Sequence, residues 1–139
     1  MLQLNKYDRK LAEKQDTDGR NALHLACQGG HWGVACELSK DMSERVREAC
    51  DSKGNRPLHL ACESNSAGIV NLLIDMKADT TAKNDMDEIP LHIAARKGNV
   101  QIGRLLVAGA KIKDSRGFNS LHNAAYHNQT KMIAFLCDR

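Results

Sequence analysis

Six histidines and five cysteines are the side chains of this 139-residue chain with the widest chemical reach. An imidazole can move protons or bind metal near neutral pH, and a thiolate can attack or ligate. Their spacing points elsewhere. Four of the histidines follow a leucine, at Leu23-His24, Leu58-His59, Leu91-His92 and Leu121-His122, and the intervals between them are 35, 33 and 30 residues. Ligands and catalytic groups must converge on one point, whereas residues recurring at this period are strung along a stack of small supersecondary units. His31 and His127 alone fall outside the series. No His-Glu-x-x-His, Gly-x-Ser-x-Gly, phosphate-loop or dinucleotide fingerprint occurs, so the sequence assigns no catalytic, metal or cofactor-binding residue and no cofactor.

The cysteines give no disulfide or zinc framework, because Cys27, Cys36, Cys50, Cys62 and Cys137 are odd in number and contain no Cys-x-x-Cys pair. Cys27 and Cys62 stand three residues after a repeat histidine, where another unit has Ala95, and read as small core fillers. Cys50 lies at a hairpin position near Arg47 and Lys53, the one thiol placed for activation by positive charge, and a redox or electrophile sensor is the corresponding reading.

The elements that position these residues follow from local chemistry. Six residues after each repeat histidine stand Gly30, Asn65, Gly98 and Asn128, the residue types that best accept the left-handed conformation at a helix end. Each unit therefore has a first helix from about Leu-His to this stop and a second helix soon after it. Asn21 and Asn119 can cap first helices with a side-chain oxygen, whereas Arg56 and Ile89 cannot and are followed by Pro57 and Pro90, preset for the first helical position. With one device each, the units should be weaker than idealised ones by about 1 kcal/mol. Apolar stripes mark the second helices at Val34 and Leu38, at Ile69 to Leu73, at Val100 to Leu106, and at Met132 to Leu136. Trp32, at the start of the first of these, reads as an oversized core contact.

Composition agrees with a stack of short helices: 42% of residues are hydrophobic and only 4% aromatic. A formal net charge of +3, spread along the chain, is too small and too diffuse for nucleic acid. No apolar run approaches the roughly 18 residues of a membrane span, and the N-terminus lacks the regions of a signal peptide, so a cytoplasmic location is expected. Asn128-Gln129-Thr130 matches a glycosylation acceptor by chance.

Asp16-Thr17-Asp18-Gly19 leading to Asn21-Ala22-Leu23-His24-Leu25-Ala26, Arg56-Pro57-Leu58-His59-Leu60-Ala61, Ile89-Pro90-Leu91-His92-Ile93-Ala94-Ala95 and Asn119-Ser120-Leu121-His122-Asn123-Ala124-Ala125 together resemble ankyrin repeats. The resemblance implies an all-α solenoid of antiparallel helix pairs linked by hairpin-like loops. It divides the chain into a partial unit at 1–15 (a helix end and hairpin), units 1 to 3 at 16–50, 51–83 and 84–113, and a C-terminally truncated unit 4 at 114–139. A piece of a longer array is expected. By the same resemblance the four Leu-His imidazoles are structural ties between neighbouring units.

The series is uneven. Two extra residues fall in the stretch Ser39 to Ala49 and should lengthen the second helix or its loop, a cheap insertion in closure entropy. The interval from Gly98 to Gly117 is short and should come out of the helix after Asn99 or out of the connection around Ala110 to Asp114, altering how unit 4 stacks. Asp87 replaces the glycine of the other turns, Gly19, Gly54 and Gly117, so that turn is expected to be reshaped.

For function, the resemblance implies a non-catalytic protein-protein interaction module that binds with its hairpin tips and inner-helix ends. Carried over by position, the partner-binding residues are Arg20, Gln28, Lys53, Asn55, Glu63, Glu88, Arg96, Lys97, Arg116, Phe118, Tyr126 and His127. Basic and aromatic character gathers toward the C-terminal end, so the expected partner is a protein or peptide with an acidic, partly extended segment docking at the last two units. The alternative is the cytosolic ankyrin segment of a membrane channel of the ankyrin-bearing transient receptor potential type, with a gating, sensing or tethering role.

Overall fold

The computed structural model describes residues 6–40 and 42–138, with side chains from Lys10 onward. Among these residues the elements are α1 (Lys6–Glu13), α2 (Ala22–Gly29), α3 (Trp32–Ser39), α4 (Glu44–Arg47), α5 (Pro57–Glu63), α6 (Ala67–Asp75), α7 (Pro90–Lys97), α8 (Val100–Leu106), α9 (Ser120–Tyr126) and α10 (Thr130–Cys137), with a 3-10 turn at Val107–Gly109 and no strand. Helices this short are unstable alone in water, so packing must hold them. The inner helices α2, α5, α7 and α9 lie side by side, and the outer helices α3, α6, α8 and α10 pack in the same order behind them. Leu23, Leu58, Leu91, Ile69, Leu73, Ile102 and Leu106 fill one core running through units 1 to 3, while Ala95, Ala124 and Met132 start a smaller one under unit 4.

The histidines stitch this stack. In every unit the N-cap residue donates its backbone N–H to the Nδ1 atom of the histidine three residues on: Asn21 to His24 at 3.1 Å, Arg56 to His59 at 3.0 Å, Ile89 to His92 at 3.0 Å and Asn119 to His122 at 3.1 Å. A backbone N–H can only donate, so Nδ1 is the unprotonated nitrogen and Nε2 carries the hydrogen. That hydrogen is given to the next unit. His24 Nε2 donates to the Asn55 carbonyl (3.0 Å), His59 to Glu88 (2.9 Å) and His92 to Ile112 (2.8 Å). All three rings are fully buried, whereas the His122 ring is exposed and, among the described residues, makes only the local hydrogen bond.

The four helix stops adopt the left-handed conformation, with φ of 68° at Gly30, 57° at Asn65, 73° at Gly98 and 58° at Asn128. Asn21 and Asn119 cap through their Oδ1 atoms, while Arg56 and Ile89 make no side-chain cap. The histidine ring compensates in part, since it plays the reciprocal half of a capping box in all four units.

Some expectations are made specific and others are corrected. Residues 6–13 are helical where a hairpin was expected; Met1 to Leu4 lie outside the described residues. The extra residues of unit 1 leave α3 at eight residues and build the separate one-turn helix α4, whose Val46 is buried and accepts a hydrogen bond from Asn21 Nδ2 at 3.0 Å. Of the three residues missing from unit 3, two come out of the outer helix, seven residues in α8 against nine in α6, and one out of the connection. The stacking survives, with His92 bonding Ile112 rather than Phe118. Asp87 does not reshape its turn. It takes φ of 56° and donates its N–H to the Asn84 carbonyl at 3.0 Å, as Gly54 does to Asp51 at 3.0 Å. Trp32 is 54% exposed, not core: its indole lies across bare Gly68 of α6, with Cδ1 3.2 Å from where a Cβ would stand.

Candidate functional site

The hairpin tips are organised by one acidic or amide residue per unit. Asp16 Oδ1 accepts the N–H groups of Asp18 and Arg20, Asp51 those of Lys53 and Asn55, Asn84 those of Met86 and Glu88, and Asp114 those of Arg116 and Phe118, all at 2.8 to 3.0 Å. Neighbouring tips are joined by single backbone bonds, Ser52 N–H to Asp18 O (2.8 Å), Asp85 to Lys53 (3.1 Å) and Ser115 to Met86 (2.9 Å). The tips are thus one continuous row. The sequence reading named the residues displayed by these turns but not their organisers, which could have been found as Asp or Asn three residues before each of Gly19, Gly54, Asp87 and Gly117.

In units 1, 3 and 4 the tip ends on a residue that faces the end of its own inner helix, eight positions later. Arg20 Nη1 donates to Gln28 Oε1 at 3.1 Å, Arg96 Nη1 pairs with Glu88 at 2.7 Å, and the Phe118 and Tyr126 rings lie 6.0 Å apart. In unit 2 the equivalent residues reach forward instead: Asn55 Oδ1 accepts from Asn84 Nδ2 at 3.0 Å, while Glu63 meets Arg96 at 3.1 Å and Lys97 at 3.2 Å. The strip thereby changes from polar rungs in unit 1, through ion pairs in units 2 and 3, to an aromatic rung in unit 4.

Nine of the twelve expected residues line two hollows along this strip. A cavity of about 470 Å³ is floored by Leu60 and Ile93 and rimmed by Arg20, Gln28, Lys53, Asn55, Glu63, Glu88 and Arg96. A smaller one of about 200 Å³ holds Glu88, Arg96, Arg116 and His127, with Asp114. Lys97 faces the loop side beside Asn65 and Lys131. Phe118 and Tyr126 stand beyond the hollows in a ring cluster: Phe118 stacks on His122 at 5.6 Å, Tyr126 meets His127 edge-on at 5.2 Å, and the Arg116 guanidinium sits 4.5 Å above Phe118. Tyr126 is 70% exposed.

The buried imidazoles and thiols are held in their neutral forms, and the strip carboxylates in their charged forms. Burial lowers the pKa of His24, His59 and His92, against the raising effect of the carbonyls they donate to, so these rings are neutral. Burial also pushes the Cys27 thiol up to about 12 and Cys62 higher still, which leaves both unreactive. On the strip, burial would raise the Glu63 carboxyl, but hydrogen bonds from Lys97 and Arg96 outweigh it and hold the group ionised. Asp114 is likewise held low, burial being outweighed by the Arg116 side chain and the Phe118 and Arg116 amides. Among the described residues no group of three or more His, Cys, Asp or Glu is placed to hold a metal ion. Cys50 is exposed, and the Arg56 guanidinium is engaged by Glu48 at 2.7 Å.

The sequence pattern described as ankyrin repeats (3 copies) matches residues 1–84 and again residues 77–139. Among curated proteins, the chain is similar to the human transient receptor potential cation channel subfamily A member 1, at 29% identity over 136 residues. It is similar also to the Caenorhabditis elegans homolog of that protein, at 31% identity over 137 residues. These alignments take in 94% and 97% of this chain but only 12% and 11% of the two relatives.

Proposed function

This chain belongs to the ankyrin repeat family, and we propose on that footing that it is a non-catalytic protein-interaction module that binds its partner along the strip of hairpin tips and inner-helix ends. The observation that carries this reading is the strip itself: one row of exposed and half-buried side chains, continuous over four units. The groups best suited to chemistry are meanwhile spent elsewhere, with three imidazoles on buried stitching and two thiols in the core.

The partner contacts concentrate at units 3 and 4, where Arg96, Lys97, Arg116, Phe118, Tyr126 and His127 combine positive charge with exposed rings. Arg and Tyr are the types enriched at binding hot spots. An acidic, partly extended segment fits there, and its carboxylates compete with Glu63 for Arg96 and Lys97. The competition is feasible because Glu63 is 46% exposed. Alanine at Arg96, Arg116 and Tyr126 should abolish binding, measured by titration calorimetry with the captured partner; unchanged affinity in the triple variant refutes the placement.

A second reading is favoured by the two relatives, both named as cation channels: a cytosolic ankyrin segment with a gating, sensing or tethering role. Among the described residues no helix is long and apolar enough to cross a membrane, so any span would have to lie elsewhere in a parent protein. Tagging this sequence within its full-length parent and asking whether it co-fractionates with membranes after carbonate extraction separates the two readings.

A further inference from the structure

Behind the strip, the outer helices meet in three successive pairs, α3 with α6, α6 with α8 and α8 with α10. The pairs serve as controls for one another. Counted from the helix stops, three positions are compared at each meeting: the residue before the stop, the sixth after it, and the third after the next stop. They are Gly29, Cys36 and Gly68 in the first, Ser64, Asn71 and Gln101 in the second, and Lys97, Arg104 and Lys131 in the third. All three positions become cationic together. Trp32 lies across Gly68 at the first meeting, whereas the third stays open. There a hollow of about 440 Å³ beside Lys97 and Asn99 continues, through Val100 and Lys131, into one of about 570 Å³ lined by Arg104, Ala134 and Phe135. Val100 and Phe135 are half-buried in it, and the Arg104 guanidinium sits 5.9 Å from the Phe135 ring centroid. Neither Arg104 nor Lys131 has an ion-pair partner among the described residues, and Lys97 meets Glu63 at 3.2 Å. Asp138 is the single carboxylate on the lining.

We propose that this groove between α8 and α10 is a second docking surface, separate from the strip, for an acidic segment of a partner protein. The segment sets an apolar side chain over Val100 and Phe135 and its carboxylates on Lys97, Arg104 and Lys131. Charge complementarity selects it, because three cations against one carboxylate are strung along a single hollow with an apolar lining. Packing does not account for them: cations at neighbouring positions repel one another, and Arg104 and Lys131 hold no carboxylate of the fold. The placement also gives a role to Lys97, which faces the loop side rather than either hollow of the strip. An anionic membrane fits less well, since polybasic lipid-binding clusters carry about 4–8 basic residues and a flat bilayer does not follow a groove to its floor. Nucleic acid would require more phosphate contacts than three cations supply.

The test titrates a short fluorescein-labelled peptide of repeating Glu-Glu-Leu into the chain carrying Arg96→Ala, Arg116→Ala and Tyr126→Ala, which removes the strip contacts and so keeps the fate of that reading apart. The proposal expects saturable binding in this background. Adding Arg104→Glu and Lys131→Glu should weaken it about tenfold, each reversal replacing an attraction with a repulsion of similar size. Serine in place of the peptide leucines should weaken it as well. Arg104 and Lys131 are exposed, so thermal melts should be nearly unchanged by the two reversals. In the unsubstituted chain, the peptide should shift the NMR amide signals of Val100, Arg104, Lys131 and Ala134, and this map decides alone where the strip variant does not fold. No binding, binding that survives both reversals, or shifts confined to Tyr126 and His127 overturns the proposal. So does a chain that ignores the peptide yet sediments with phosphatidylserine vesicles through Arg104 and Lys131, because the occupant would then be a membrane.

Discussion

Replacing His59 and His122 by alanine, one at a time, weighs the stitching against an internal control. Both residues follow a leucine, sit at the third position of an inner helix and accept the N-cap N–H at Nδ1, so the change in helix propensity is the same. They differ in what lies beyond. His59→Ala leaves the part-buried Arg56 N–H without its acceptor, worth about 1–3 kcal/mol, and takes one of two donors from the Glu88 carbonyl, which keeps the Asn84 N–H, worth about 0.5–1.5 kcal/mol. It also empties the volume of a ring that is fully buried. A loss of about 3–5 kcal/mol is expected, a large part of the 5–15 kcal/mol that holds a typical domain. His122→Ala removes one hydrogen bond at an exposed site, where water replaces the ring, for about 0.5–1 kcal/mol. Urea titrations followed by far-UV circular dichroism give both numbers. Equal losses, within about 0.5 kcal/mol of each other, would show that the inter-unit carbonyl bond contributes nothing and that the histidines act only as local caps.

Acid should destabilise the chain in two stages. His24, His59 and His92 have folded values below their ordinary 6.5, so between the two values the unfolded chain binds more protons. Stability is therefore full above about pH 6.5 and falls as the pH drops toward the folded values; a second fall follows at more acid pH as Glu63 and Asp114 protonate, and a flat profile between pH 7 and 5 refutes the first stage. Lys77 holds a left-handed φ of 67° at the end of α6, with Ala78 N–H bonded to Leu73 O at 2.9 Å, so Lys77→Gly should stabilise by about 1 kcal/mol in thermal melts, whereas Asn65→Ala should destabilise. Thiol labelling of the native chain should modify Cys50 and Cys137 and spare Cys27 and Cys62 until unfolding; early labelling at Cys62 would contradict the packing. Glu63→Gln frees Lys97 and half of the Arg96 guanidinium, and should strengthen binding of an acidic partner segment in a calorimetric titration. Weaker binding would make Glu63 itself the partner contact.

The fold was legible because its determinants are local and repeated. Leu-His marks each inner helix, and Gly30, Asn65, Gly98 and Asn128 end it, since few residues accept a left-handed conformation cheaply. Where the sequence misled, tertiary context decided. Asp87 keeps the glycine conformation because the Met86 and Glu88 amides on either side of it both donate to Asn84 Oδ1 and fix the turn, so local strain is tolerated. Trp32 looked like core from its type, but the surface that receives it is Gly68, thirty-six positions away, and the indole spans that gap rather than entering the interior. The candidate strip was legible as a list of tip and helix-end positions. Its pairing was not, because Glu88 with Arg96 and Phe118 with Tyr126 follow from how each tip folds back over its own helix, whereas Glu63 crosses to the next unit.

Site-specific photocrosslinking reads the partner face directly. A photoreactive residue is placed in turn at Gln28 and Tyr126 on the strip and at Leu105 on the outer helices, and crosslinks are mapped in native lysate and again with Phe118→Ala. The account expects one partner captured from Gln28 and Tyr126, lost with Phe118→Ala, and none of it from Leu105. Capture of that partner from Leu105, or from Tyr126 irrespective of Phe118, would contradict the claim that the strip of tips and inner-helix ends is where this chain binds.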